Sequence, residues 1–161
     1  MIIDSALHQL SEAFIKSLHY TLKSGTSDSR KDWFAVGEYK KLPNEVGGSI
    51  TTSPEDVPAK LKKLLESYNA SKEKTLDEII AFHYEFESIH PFQDGNGRVG
   101  RLILFKECLA NGIVPFIITE ELKMYYYRGL HNWPDTPGYL RDTCLAAQDN
   151  YAALLDYFRI K

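Results

Sequence analysis

The chain has no excess of positive charge. Its 161 residues carry 19 Lys and Arg against 22 Asp and Glu, a formal net charge of −3. That argues against a nucleic-acid footprint, which needs a basic stripe, and against a polybasic membrane patch. No apolar run approaches the ~18–20 residues of a membrane span. No charged start followed by an apolar stretch reads as a signal peptide. Cysteine is scarce as well. Cys108 and Cys144 make no disulfide framework and match no zinc spacing. Both lie in apolar, helix-like stretches and read as buried thiols, which fits a reducing cytoplasm. There is no internal repeat, no low-complexity tract and no composition break that marks a linker. The length is about one domain's worth, and the expectation is a single domain over residues 1–161.

Helical periodicity dominates what is present. Residues 4–22 place Leu7, Leu10, Phe14, Ile15, Leu18 and Leu22 at helical spacing. Residues 38–40 and 49–51 predict two short strands around the turn-forming stretch 41–48, a hairpin too small to be stable alone. Ser53-Pro54-Glu55-Asp56 reads as a helix start. Thr75 and Glu78 form a capping box for a helix that must end before Pro91. Residues 97–111 predict another helix, stopped at Asn111-Gly112, and Thr119 caps a further one. Thr136-Pro137 opens the last, striped by Leu140, Cys144, Ala147, Tyr151, Leu154, Leu155 and Phe158. The predicted class is all-α, a helical bundle with one β-hairpin.

One core face turns polar along its length. Leu76, Ile79 and Ile80 share a side of their helix, and that side continues into His83, Glu87 and His90. For His83 and Glu87 a buried polar network competes with a functional pocket. Glu87 and His90 also form an E-x-x-H pair, half of a di-iron bundle site, but the chain holds no second such pair.

The segment from His90 to Arg101 (HPFQDGNGRVGR) concentrates chemistry-bearing residues. Gly95-Asn96-Gly97 can take backbone conformations closed to most residues, and a helix starts there. Successive amides in such a turn form an anion nest, to which the helix adds its positive end. Arg98 and Arg101 lie one turn apart on one face and suit phosphate contact. Asp94 supplies a carboxylate of the kind Mg²⁺ takes together with phosphate oxygens. His90 supplies a proton acceptor. Together they predict a polyphosphate site able to do chemistry.

This segment resembles the Fic (Fic/Doc) family motif H-x-F-x-[D/E]-G-N-G-R-x-x-R, and every specified position matches. The resemblance extends over a Fic core of about residues 10–112 and trailing helices over 119–160. It implies the Fic fold and transfer of AMP from ATP to a Ser, Thr or Tyr hydroxyl of a target protein. By match, His90 would be the base and Asp94 would bind Mg²⁺. Gly95, Asn96 and Gly97 would form the anion hole, and Arg98 and Arg101 would hold the outer phosphates. Phe92 would anchor the loop. The hairpin sits where the family carries its flap, so Gly48, Ser49, Ile50, Thr51 and Thr52 would line a target peptide by strand addition. Tyr126, within Tyr125-Tyr126-Tyr127, would meet the adenine, with core packing as the competing role. Removal of AMP, another phosphate-containing transfer on the same fold, and an idle nucleotide-binding module are the alternatives.

Many members carry an inhibitory [S/T]-x-x-x-E-[G/N] helix whose glutamate engages the second arginine, here Arg101. The nearest string, residues 51–56, ends in Asp56 and falls in the flap region. The expectation is an uninhibited chain whose brake, if it has one, is an upstream helix or a separate antitoxin. Neither a nucleic acid nor a membrane is an expected partner.

Overall fold

The computed structural model describes residues 2–160. Six α-helices and one hairpin are present among them: α1 Glu12–Lys23, β1 Glu45–Val46, β2 Ser49–Ile50, α2 Val57–Asn69, α3 Leu76–Ile89, α4 Asn96–Ala110, α5 Lys123–His131 and α6 Gly138–Tyr157. The all-α class with one hairpin therefore stands. No described helix is long and apolar enough to cross a membrane.

Local chemistry sets the boundaries. α1 starts later than its apolar spacing predicts. Ser11 is extended (φ −138°, ψ 159°) and its side chain accepts from the Phe14 amide, so the helix begins at Glu12 and residues 2–7 form turns. The hairpin is also tighter than predicted. Glu45 pairs with Ile50 and Val46 with Ser49. Only Gly47 and Gly48 lie between, at φ 56° and 79°. A two-residue turn with both central residues at positive φ matches strand twist and favours glycine. Residues 38–40 are consequently not a strand, and the Lys40 amide instead donates to the Pro91 carbonyl at 2.9 Å. At α3 the capping box forms as predicted: the Thr75 amide donates to Glu78 Oε2 at 2.8 Å, and the Glu78 amide to Thr75 Oγ1 at 3.3 Å.

The chain folds as two compact units. One takes Met1–Leu7, Glu73–Tyr84 and Leu104–Lys161; the other takes His8–Lys72 and Glu85–Ile103. In the second unit, α1 and α2 bury Ile15, Leu18, Val57, Leu61 and Leu65, with Phe86, Phe92 and Val99. In the first, Ile79, Ile80, Leu104, Phe116, Leu140 and Ala147 are buried. Cys108 and Cys144 are buried there too, and burial pushes both thiols up to about 12, which makes them unreactive at neutral pH. The predicted stripe of α6 fades toward its end, since Leu154 and Phe158 are exposed.

α5 and α6 meet at a glycine. A Cβ on Gly129 would lie 2.6 Å from Leu140 Cα and 2.8 Å from its backbone nitrogen. Backbone cannot swing aside as a side-chain tip can. Gly129→Ala should therefore destabilise the protein by about 1–3 kcal/mol, as overpacking does. Urea unfolding should show a lower midpoint at unchanged slope, and an unchanged midpoint would contradict the close approach.

Candidate active site

The site begins where α3 stops. The His90 amide still donates to the Phe86 carbonyl at 3.0 Å. His90 itself turns left-handed, at φ 53°. That conformation costs a non-glycine residue of order 1–3 kcal/mol, and Pro91 then ends the helix. His90 Nδ1 lies 3.2 Å from the Glu87 carbonyl. A carbonyl only accepts, so Nδ1 carries the proton and Nε2 is left as the acceptor. Burial pulls the His90 pKa below its ordinary value, and the positive charge of Lys40 adds to that pull. The ring is thus kept neutral with a basic nitrogen available.

The next residues form the loop and reopen a helix. Asn96 bonds back to Phe92 twice: its Oδ1 accepts from the Phe92 amide at 2.8 Å and its Nδ2 donates to the Phe92 carbonyl at 2.7 Å. Its side chain is therefore spent on holding the loop, and what it offers an anion is backbone. Gly95 sits at φ 88°, and a Cβ there would also come within 3.2 Å of Leu22 Cδ2. The Val99 amide donates to the Gly95 carbonyl at 3.0 Å as α4 begins. The amides of that first turn carry the helix's positive end. A Cβ on Gly97 would fall 3.1 Å from Arg101 Nη1. The bare glycine thus lets the Arg101 guanidinium lie over the first turn.

Asp94 is held from behind by α1. His19 is fully buried and stacks on Phe92 at 4.0 Å, with 2° between the rings. The Gly37 amide donates to His19 Nδ1 at 2.9 Å. Nε2 therefore carries the proton and donates to the Asp94 carbonyl at 3.0 Å. Burial, first of all, lowers the His19 pKa and keeps this tautomer neutral. The Lys23 ammonium bonds Asp94 Oδ2, and Arg98 Nη2 reaches the same oxygen at 3.3 Å. Burial works against the Asp94 charge, but Lys23, the Gly95 amide and Arg98 outweigh it, so the carboxyl stays below its usual range.

The hairpin is joined to the same loop. Lys40, 3% exposed, donates to Asn44 Oδ1 at 2.7 Å and Thr51 Oγ1 at 2.8 Å. Asn44 Nδ2 donates to the Phe92 carbonyl at 2.9 Å. Gln93 exchanges bonds with the Leu42 backbone. Burial brings the Lys40 ammonium down to about 8.

His90, Asp94, Gly95, Asn96, Gly97, Arg98 and Arg101 thus come together in one unit. Gly48, Ser49 and Ile50 are exposed at the hairpin tip, whereas the Thr51 hydroxyl is engaged by Asn44 and Lys40. Tyr126 belongs to the other unit. It is 1% exposed, and its hydroxyl bonds His83 Nε2 at 2.6 Å. The neighbouring Tyr125 and Tyr127 are the exposed rings. Sequence reasoning missed His19, Lys23, Gly37, Lys40 and Asn44. For His19 a signal existed, a polar residue on the apolar face of α1 beside Ile15 and Leu18.

No group of three or more His, Cys, Asp or Glu among the described residues could hold a metal by itself. The loop instead offers one ionised carboxylate, Asp94, with its side chain 55% exposed. That fits Mg²⁺, which is usually held by one or two carboxylates together with substrate phosphates and water.

Glu87 is the odd group. Its Oε1 is buried and accepts no hydrogen bond. Burial raises its carboxyl to about 7 against a pull downward from Arg101. The native state then keeps this proton to about pH 7, while the unfolded chain releases it near 4.5. Between those values the native state binds more protons, so stability falls as pH rises. Glu87→Gln removes that slope. Relative to wild type it should gain up to ~3 kcal/mol between about pH 4.5 and 7, read from unfolding at several pH values. A pH-independent difference would contradict it.

The chain has counterparts among known proteins. The sequence profile of the Fic/DOC family matches residues 9–107, well over half the chain. The chain is 37% identical over 99 residues to protein adenylyltransferase fic-1 of Caenorhabditis elegans, a match covering 60% of this chain and 20% of that one. It is 28% identical over 136 residues to protein adenylyltransferase Fic of Drosophila mojavensis, covering 80% and 27%. The chain thus spans roughly a quarter of those relatives' length. A Fic-domain signalling protein of Bacteroides thetaiotaomicron superposes with a TM-score of 0.72 at 29% identity, over 98% of this chain and 62% of that one. In sequence and in fold alike, this chain belongs to the Fic/DOC family.

Proposed function

We propose that the chain transfers AMP from ATP to a hydroxyl of a target protein. One observation carries the reading. A histidine held in the tautomer of a base follows α3, and six residues later a helix opens between two glycines, with a carboxylate and two arginines beside its start. In this reading the Nε2 of His90 takes the proton of the attacking hydroxyl. That oxygen bonds the α-phosphorus, the bond from that phosphorus to the bridging oxygen breaks, and pyrophosphate leaves. The amides at Gly95, Asn96 and Gly97, with Arg98 and Arg101, stabilise the charge that develops on the phosphates. Asp94 would hold Mg²⁺, which supplies further charge neutralisation when bound.

The hairpin presents the target. Its strands are two residues long and Ile50 is 85% exposed, so an incoming peptide can add along an edge with little demand on its sequence. Lys40 and Asn44 join that edge to the loop, so a hydroxyl fixed on the hairpin is placed relative to His90. Tyr126, expected to meet the adenine, is a buried partner of His83. Arg101 is where an inhibitory glutamate, from an upstream helix or an antitoxin, would act.

The test is incubation with Mg²⁺ and ATP labelled on its α-phosphate, alone and with cell lysate. Wild type should label protein. His90→Ala should lower the rate by about 10²–10⁴, the usual share of a general base, while ATP binding persists. Because the His90 pKa is depressed, the acidic limb of kcat/KM should have its midpoint below 6.5. ATP binding without labelling by wild type would mark a nucleotide-binding module, and labelling that survives His90→Ala would remove His90 as the base.

A further inference from the structure

We propose that Lys23 is the positioning residue for the metal-binding carboxylate, holding one oxygen of Asp94 and leaving the other for the divalent cation. The proposal rests on the assignment of Asp94 to Mg²⁺ made above.

Three observations carry it. First, the hydrogen bonds of the Lys23 ammonium and the Arg98 guanidinium to Asp94 both run to Oδ2. A carboxylate held through one oxygen has a fixed plane, and its second oxygen keeps lone pairs for a hard cation.

Second, the two partners face different surroundings. The Lys23 side chain is 4% exposed, whereas that of Asp94 is 55% exposed. The ammonium grips from inside the protein, and the carboxylate opens on the side where nucleotide and cation arrive. A lysine that simply competed with the metal would have to stand on that open side.

Third, Lys23 is itself immobilised. Its ammonium donates to Asp28 Oδ2 at 2.6 Å and lies 5.2 Å from the centre of the Phe34 ring. Asp28 is in turn held by Lys31 at 2.7 Å. Lys23 is the last residue of α1, and its carbonyl accepts from the Thr26 hydroxyl at 2.6 Å. His19 stands one helical turn earlier, on the same face. One face of α1 therefore fixes both the main chain and the side chain of Asp94. Had Lys23 served only the loop after α1, its bond to Asp28 would suffice.

Groups that orient a metal-binding side chain from behind typically change metal affinity 10–100-fold when removed. Lys23→Met should weaken Mn²⁺ uptake in the presence of ATP by about that factor, measured by electron paramagnetic resonance. In labelling assays it should raise the half-saturating Mg²⁺ by a similar factor, with kcat at saturating Mg²⁺ little changed. Lys23→Arg keeps the charge and the donors and should restore much of the affinity. Thermal unfolding shows whether each variant folds. Should Lys23→Met fail to fold, Lys23→Arg and Asp28→Asn, which loosens the anchor, carry the test, and Asp28→Asn should weaken Mn²⁺ uptake in the same direction. Unchanged cation affinity overturns the proposal. Tighter cation binding overturns it as well, since it would make Lys23 a competitor. Mn²⁺ binding is read without catalysis. A wild type that labels nothing, yet binds Mn²⁺ with ATP through Lys23, therefore defeats the transfer reaction and leaves this inference standing. A wild type that labels, with Mg²⁺ dependence untouched by Lys23→Met, defeats the inference alone.

Discussion

The site hangs from one imidazole. A neutral histidine has one donor and one acceptor, and both nitrogens of His19 are committed. The Gly37 amide fills Nδ1, so the Nε2 proton goes to the Asp94 carbonyl. Protonation would set a second N–H against the Gly37 amide, and burial already disfavours the charged form. The same ring lies flat on Phe92, whose amide and carbonyl are both taken by the Asn96 side chain. Three segments distant in sequence thus converge on a few bonds. Without them the turn between α3 and α4 would be a glycine-rich loop with many conformations, since Gly95 and Gly97 hold nothing by themselves.

Charge is arranged locally in a chain whose total is −3. Lys23, Lys40, Arg98, Arg101 and the start of α4 bring positive character to one loop. Two other titratable groups there are shifted toward neutrality. Burial pushes the Glu87 carboxyl up to about 7, and the His90 pKa goes down. Asp94 is held firmly ionised, by Lys23, the Gly95 amide and Arg98. That pattern suits a polyphosphate, which needs cations and amides around it and one carboxylate for its metal. It also separates two tasks: a neutral imidazole to accept a proton, and a fixed anion to hold a cation.

Much of this was legible in the sequence because it is contiguous. The loop carries base, carboxylate, glycines and arginines within twelve positions, and a helix break falls among them. Capping residues at Thr75 and the apolar spacing of α3 placed that helix to within a residue. Other elements depended on distant partners. Nothing in residues 38–40 announces that Lys40 will pair its amide with Pro91, so a strand was the natural expectation there. The Gly47-Gly48 pair carried the true turn, and both glycines adopt positive φ. In α1, apolar spacing suggested a helix from residue 4, but Ser11 caps it seven residues later. His19 and Lys23 lie 75 and 71 residues from Asp94. A lone histidine on an apolar face and a lysine at a helix end look ordinary until the fold brings the loop to them. Tyr126 shows the converse: its neighbours suggested an aromatic platform, while its burial and its bond to His83 were set by packing.

The proposed AMP transfer requires attack at the α-phosphorus of ATP. Intact-mass spectrometry of proteins incubated with this chain, ATP and Mg²⁺, paired with a count of pyrophosphate released, reads the point of attack directly. The geometry predicts an adduct of one AMP and one pyrophosphate for each adduct. A phosphate adduct with ADP as the other product, or ATP turnover with no adduct on any protein, would contradict it.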